Sequence, residues 1–415
     1  LAQLPPASSQ HIADAAGLLD VAYARALGQV HRQYPDDLDI ATLYAEALMD
    51  TMPWDYWDAA GNPKPETEEI LTVLDTVLEK DPWHIGALHL YIHAVEKERP
   101  ELAEAAADRL RDLAPNVGHL IHMPGHIYIR IGRYYDAVVA NQAALTADYA
   151  YMAGNHTPSL YTDSYVLHNA HFLWYAALMT GQSELARQAA AETAQVDPDL
   201  MRDPALAASL QHYAAVPLFT QVRFAQWDAV QQTPAPASDL RYLTGIWHYA
   251  QGMAAVGTGQ LAQAEPHLTA LERLIADPAI AELRIWGFNG ADQVLGIAAN
   301  VLAGELAAAR GNTNAAVGYL EAAVAIEDQL TYTEPPDWYS PTRHLLGEIL
   351  LRANRPAEAE AAFRDDLATY PENGWSLHGL AQSLRAQGRT AEADTIQARF
   401  EAAWAHADFT LATRP

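Results

Sequence analysis

The chain contains no cysteine. Disulfides, thiolate zinc sites, iron–sulfur clusters and cysteine nucleophiles are excluded together, so a metal site must draw on histidine, carboxylate, methionine or backbone oxygen. Lack of cysteine is compatible with an oxidising compartment, and a periplasmic or secreted location is slightly favoured over a cytoplasmic one. Positive charge is also scarce. Lys and Arg number 25 against 52 Asp and Glu in 415 residues, a formal net charge of −27. Phosphate contacts need a basic stripe, so neither nucleic acid nor an anionic membrane surface is an expected partner. The field of such a chain favours a cationic ligand, a basic peptide or a metal ion. No apolar run approaches the ~18 residues of a membrane span, and strand signals are nearly absent. The nucleotide-binding pattern G-x-x-x-x-G-K-[ST], the hydrolase pattern G-x-S-x-G and the zinc-protease pattern H-E-x-x-H do not occur. Leu1 stands where a Met or a basic, apolar leader would be, and reads as a processed or truncated end.

What is present is a repeat. Gly347, Ala359, Phe363 and Pro371 stand at the spacing of small residue, Ala, Phe and Pro that marks two antiparallel helices packed at small side chains. Ala381 and Ala393 recur in the next unit, and Ala103 to Pro115 and Ala186 to Pro198 repeat one interval. Gly132, Gly181, Gly311 and Gly388 each precede an Ala by the same distance, as expected of a turn that needs φ > 0 before a closely packed second helix. The fold expected is all-α: a right-handed superhelical solenoid of about eight tetratricopeptide-like helix pairs. It is read as one domain, with an entry helix in 1–36, His-rich repeats in 37–199 and further repeats in 200–415. Irregular insertions are expected near 52–65, 147–163, 233–240 and 331–338, where turn formers cluster.

Of 17 histidines, nine fall between positions 84 and 171. Their spacing is helical. His89, His93 and Glu96 stand at i, i+4, i+7; His119, His122 and His126 at i, i+3, i+7; His168 and His171 at i, i+3 with Tyr175 at i+7. Counted from the turn glycine, His122 matches His171 and His119 matches His168. His89 and His93 match His122 and His126 if one turn is a residue shorter. First helices of neighbouring repeats lie about 10 Å apart, so such faces can converge on one point. Neutral imidazole is the commonest metal ligand. The plainer reading is a pH-sensitive or aromatic peptide groove, and each histidine taken alone fits it. Glu46 and Asp50, at i, i+4 in the preceding unit, are possible added carboxylates. Pro124 falls inside "HLIHMPGHIYIR", where it predicts a kink or a late helix start. A late start would take His119 and His122 off the face.

The segments "GALHLYIHAVE", "GHLIHMPGHIYIRIGRYYDAVVAN", "LHNAHFL", "YAEALMDTMPWDYWD" and "NGWSLHGLAQSLRAQGR" resemble a bacterial family of long, His-rich tetratricopeptide-repeat proteins, over most of the chain. The resemblance implies the repeat fold. It points to His89, His93, His119, His122, His126, His168 and His171, and suggests a further N-terminal repeat or chain completing the solenoid. It implies no particular reaction.

Two readings follow. In the first, the seven histidines hold one or two metal ions in the concave groove, with copper preferred over zinc or iron because imidazole outnumbers carboxylate. The reaction would then be an oxygen-dependent oxidation of a small molecule or peptide. Glu96 is the candidate catalytic residue, orienting a ligand imidazole or moving a proton. Trp54, Trp57, Tyr128 and Arg130 are candidates to shape the substrate pocket, and the stretch 147–163, with Tyr149, Tyr151 and Tyr161, to cover it as a lid. In the second, the chain is a non-catalytic module binding a peptide or partner protein, its histidines incidental or forming a structural zinc site.

Overall fold

The computed structural model describes residues 9–58, 60–154 and 165–411. By packing, the chain divides into two units, 1–128 and 129–415.

The first unit contains α1 (Ser9–Gln33), α2 (Leu38–Asp50), α3 (Pro65–Lys80), α4 (Ile85–Val95), α5 (Glu104–Leu110) and α6 (Gly118–His122). The unit boundary falls within α7 (Pro124–Arg130). Asp37 caps α2, accepting from the Ile40 amide at 3.0 Å, and satisfies a donor that the helix start leaves without a partner. The entry helix expected over 9–33 is α1. Its neighbour α2 buries Ala41, Tyr44, Ala45 and Ala47, and α3 buries Ile70, Leu74 and Val77. These are the apolar stripes of amphipathic helices.

The second unit is built from consecutive hairpins: α9 (Val166–Met179) with α10 (Ser183–Thr193), α11 (Ala207–Arg223) with α12 (Trp227–Gln232), α13 (Arg241–Gly257) with α14 (Leu261–Ile275), α16 (Ala291–Ala309) with α17 (Thr313–Glu327), α18 (Thr342–Arg352) with α19 (Pro356–Thr369), and α20 (Gly374–Ala386) with α21 (Thr390–Ala403). The long α8 (Tyr134–Gly154) packs on α9, and the short α15 (Pro278–Ala281) fills one connection. Among the described residues the strands are confined to a hairpin of Arg284–Ile285 with Asn289–Gly290. The all-α, tetratricopeptide-like class read from the spacing therefore holds.

Its physical basis is visible at the turns. Gly132, Gly181, Gly311 and Gly388 all have φ between 68° and 83°, the left-handed region where a side chain costs roughly 1–2 kcal/mol. Ala225 and Asn354 hold the same place in two other hairpins, at φ 53° and 56°, and bear that cost. Phe363 explains the small residues of the repeat: a Cβ at Gly347 or Gly379 would come within 2.4 or 2.1 Å of its ring.

The last hairpin returns to the first. Trp375 donates through Nε1 to the Leu178 carbonyl at 2.9 Å, Trp404 covers Gly181, and Asp408 accepts from the amides of Ser183 and Glu184 at the start of α10. The inward faces meet as well. Arg223 donates to Ser340 Oγ (2.7 Å) and to His344 Nδ1 (2.8 Å) and lies 3.4 Å over the Trp375 ring. His344 donates in turn to Asp366 at 2.9 Å. Phe219 stacks on Tyr339, whose hydroxyl meets that of Tyr249 at 3.0 Å. These side chains fill the interior of the second unit.

One expectation is corrected. Residues 147–154 are not loop: α8 runs on to Gly154. Neither glycine nor proline interrupts the sequence between Tyr134 and Gly154, so nothing stops the hydrogen-bond ladder before the cluster "GNHTP". Tyr149 and Tyr151 are exposed positions of that helix. Tyr161 and the rest of the expected lid lie outside the described residues.

Candidate metal centre

Helix α4 opens at His84, which serves as its cap. His84 Nδ1 accepts from the Ala87 amide and Nε2 lies 3.2 Å from Asp39 Oδ1. An adjoining face of α4 buries Leu88 and Ile92 completely. That packing fixes the helix and leaves His89 and His93, one turn apart, half-buried on a shared face. Pro124 separates α6 from α7 as the sequence predicts. The His126 amide reaches back only to the Met123 carbonyl, at 3.1 Å, and the Met123 amide to the His119 carbonyl. Because Met123 keeps right-handed helical angles, the break bends the path without turning His119 and His122 away from His126.

The result is a cluster of imidazoles within the first unit. His89, His93 and His119 each place a ring nitrogen within 4.8 Å of the others. His89 Nε2 and His119 Nε2 are 3.2 Å apart. His122 Nε2 and His126 Nε2 are 2.9 Å apart and buried. The rings of His93 and His126 are 5.6 Å apart, and those of His119 and His122 6.3 Å. Nitrogens about 2.0–2.2 Å from one ion lie roughly 3–3.5 Å from each other, so both close pairs have the separation of two ligands on a shared ion.

Glu96 lies at the back of the cluster, 3 % exposed. Its Oε2 is 3.3 Å from His93 Nδ1 and 3.2 Å from His126 Nδ1. A carboxylate accepts, so these contacts favour the tautomer with the proton on Nδ1 and the lone pair on Nε2 in both rings. Burial by itself would raise the Glu96 carboxyl; the two imidazoles, by charge and hydrogen bond, outweigh it and hold the group well below the usual range. Burial, then the charges of its neighbours, takes His89 down to about 3 and His119 to about 4. Such rings stay neutral and able to bind a metal in ordinary buffers.

The remaining candidates are distributed as follows. Trp57 is buried and donates to the Ala94 carbonyl at 2.9 Å, bracing α4 from outside the cluster. Trp54 is 58 % exposed with φ 54°. Tyr128 is buried and donates to Asp108 at 2.8 Å. Glu46 and Asp50 are exposed. His168 and His171 belong to the second unit. There His168 packs on Phe172, and His171 stacks on Trp174 and meets His212 and Tyr213 edge-on. Burial pulls His171 well below its ordinary value and takes His212 down to about 3. Arg130, also in the second unit, lies over the Tyr332 ring at 5.1 Å and 4.0 Å from Glu334. Sequence reasoning missed two further contacts. His212 faces His171, and His248 and His267 meet through Nδ1 at 3.0 Å. Neither pair shares a helix or a repeat position, so no periodicity signalled them.

No family model matches the chain, and no curated protein does either. Similar solved structures include the Cut9–Hcn1 hetero-tetramer of the APC/C, with 11% identity over 95% of this chain and 78% of that one and a TM-score of 0.31. Naa15/Naa10 bound to HypK-THB matches at 12% identity over 91% and 72%, with a TM-score of 0.23. Yeast Tom70 matches at 13% identity over 94% and 92%, with a TM-score of 0.28. At these identities and scores the likeness carries nothing about function.

Proposed function

We propose that the first unit binds a metal ion through His89, His93 and His119, with His122 and His126 as a second ligand pair, and that the protein is a copper-dependent oxidoreductase acting on a small molecule or peptide. The observation that carries the reading is the meeting of three half-buried imidazoles from α4 and α6, backed by one buried carboxylate that fixes the tautomers of His93 and His126. An all-nitrogen donor set without thiolate favours Cu(II) over Zn(II) by the affinity order of divalent ions. Bound copper would supply one-electron chemistry with dioxygen. In this reading Glu96 is a positioning residue: both oriented rings contact its Oε2, and it raises their basicity toward the ion. His168 and His171 remain candidate ligands. Trp54 and Arg130 remain candidate substrate contacts; Trp57 and Tyr128 are engaged in packing.

A second reading has its own support. The histidines come from α4 and from two very short helices, α6 and α7, of five and seven residues. An ion shared among them would clamp pieces too short to be stable alone, which is what a structural zinc does. One experiment separates the two. Metal-free protein is loaded with copper or zinc, and oxygen uptake and melting temperature are followed with candidate reductants. Oxygen uptake only with copper supports the enzyme. Stabilisation by zinc without turnover supports the staple. Indifference to both metals sinks the metal centre.

A further inference from the structure

The second unit contains a cavity of about 490 Å³. It lies among the end of α17, the segment 330–338, the start of α18 and the end of α19. Tyr175, Glu327, Tyr332, Trp338 and Tyr370 contribute to its wall. The volume is that of a small-molecule site.

Its charges do not cancel. Arg343 is held by Asp328 through two bonds, of 2.7 and 2.8 Å. Arg130 is paired with Glu334, whose carboxylate also accepts from the Tyr332 hydroxyl. Each guanidinium in the wall thus has its own carboxylate. Two carboxyls remain, Glu327 and Asp337, and among the described residues neither forms an ion pair. Asp337 is satisfied by neutral donors, Trp286 Nε1 at 3.1 Å and Asn289 Nδ2 at 2.7 Å. Glu327 accepts from the Thr342 amide at 2.9 Å. Burial pushes both carboxyls up to about 7, outweighing their hydrogen bonds and, at Glu327, the nearby charge of Arg343.

A second feature points the same way. Tyr175 is 1 % exposed, lines the cavity, and its hydroxyl has no hydrogen-bond partner among the described residues. A buried hydroxyl left unpaired destabilises the free protein, a loss that a ligand donor or acceptor in the cavity would recover. The aromatic faces around it are those that attract organic cations.

We propose that this cavity binds a small organic cation, an ammonium or guanidinium compound, with Glu327 as its counter-charge, Tyr175 as a hydrogen-bond partner and Trp338 and Tyr370 as aromatic walls.

The test is calorimetric titration of the full chain with putrescine and agmatine. Glutarate and 1,4-butanediol serve as an anion and a neutral probe of similar length. One amine is expected to bind at one site per chain, and the anion and diol not to bind. Glu327→Gln keeps an acceptor for the Thr342 amide and should weaken the amine at least tenfold. Tyr175→Phe removes a hydroxyl that has no hydrogen-bond partner in the free protein; it should raise the melting temperature or leave it unchanged, and weaken binding several-fold. Non-specific attraction to an acidic chain would be the same in both variants. Absence of amine binding, equal affinity in wild type and both variants, or preference for glutarate overturns the proposal.

Discussion

The carboxylate of Glu96 contacts Nδ1 of His126, 30 positions along the chain, at 3.2 Å, and both groups are buried. One oxygen thereby ties α4 to α7 and sets which nitrogen of the ring is free. Glu96→Gln retains one acceptor oxygen but loses the charge. It should lower metal affinity by about 10- to 100-fold with little change in helicity. Competition against a chelator of known strength measures this. An unchanged affinity would remove Glu96 from the centre.

The imidazoles set a pH window. A base whose folded pKa is depressed stays neutral in the folded protein while the unfolded chain takes up protons near ~6.5. With His89 at about 3 and His119 at about 4, these two rings make metal-free protein lose stability as pH falls from ~6.5 toward 4. Over that range their lone pairs stay available, so metal should remain bound near pH 5. Elemental analysis after dialysis at graded pH checks this; release already at pH 6 would contradict it.

Glu327 gives the opposite sign. Its folded pKa of about 7 lies above the unfolded value of ~4.3, so between these limits the folded state holds the extra proton. Its contribution is favourable at acid pH and is lost as pH rises through 7. Melting of Glu327→Gln relative to wild type should improve between pH 5 and pH 8. A constant difference would show the carboxyl to be unshifted.

Pro124→Ala restores the missing amide donor and allows α6 and α7 to join as one straight helix. Helicity by circular dichroism should rise slightly while metal affinity falls, because His119 and His122 then swing relative to His126. Equal affinity would show that the bend does not shape the centre.

Trp57→Phe should destabilise the protein by about 1–3 kcal/mol, since it removes the bond to the Ala94 carbonyl and leaves space in a buried contact. Trp54→Ala, at an exposed position, should change stability by no more than about 0.5 kcal/mol. Chemical denaturation of both variants tests the contrast.

The sequence by itself determined the class of the fold and the candidate residues of the centre. Helical periodicity, the glycine turns and the Gly347–Phe363 spacing are local signals, since φ > 0 at Gly132 or Gly388 is a property of a few residues. The i, i+3 and i, i+4 faces of α4 and α6 are local in the same way, and Pro124 announced its own bend. The tertiary structure decided everything that depends on which helices meet. It made Glu96 a bridge between His93 and His126, turned His84 into a cap, and sent Trp57 into the packing behind α4. It also closed the second unit through Trp375 and Asp408, and left Glu327 in a cavity with no ion-pair partner among the described residues. Burial and charge compensation are sums over neighbours far apart in the chain, and no spacing along the sequence records them.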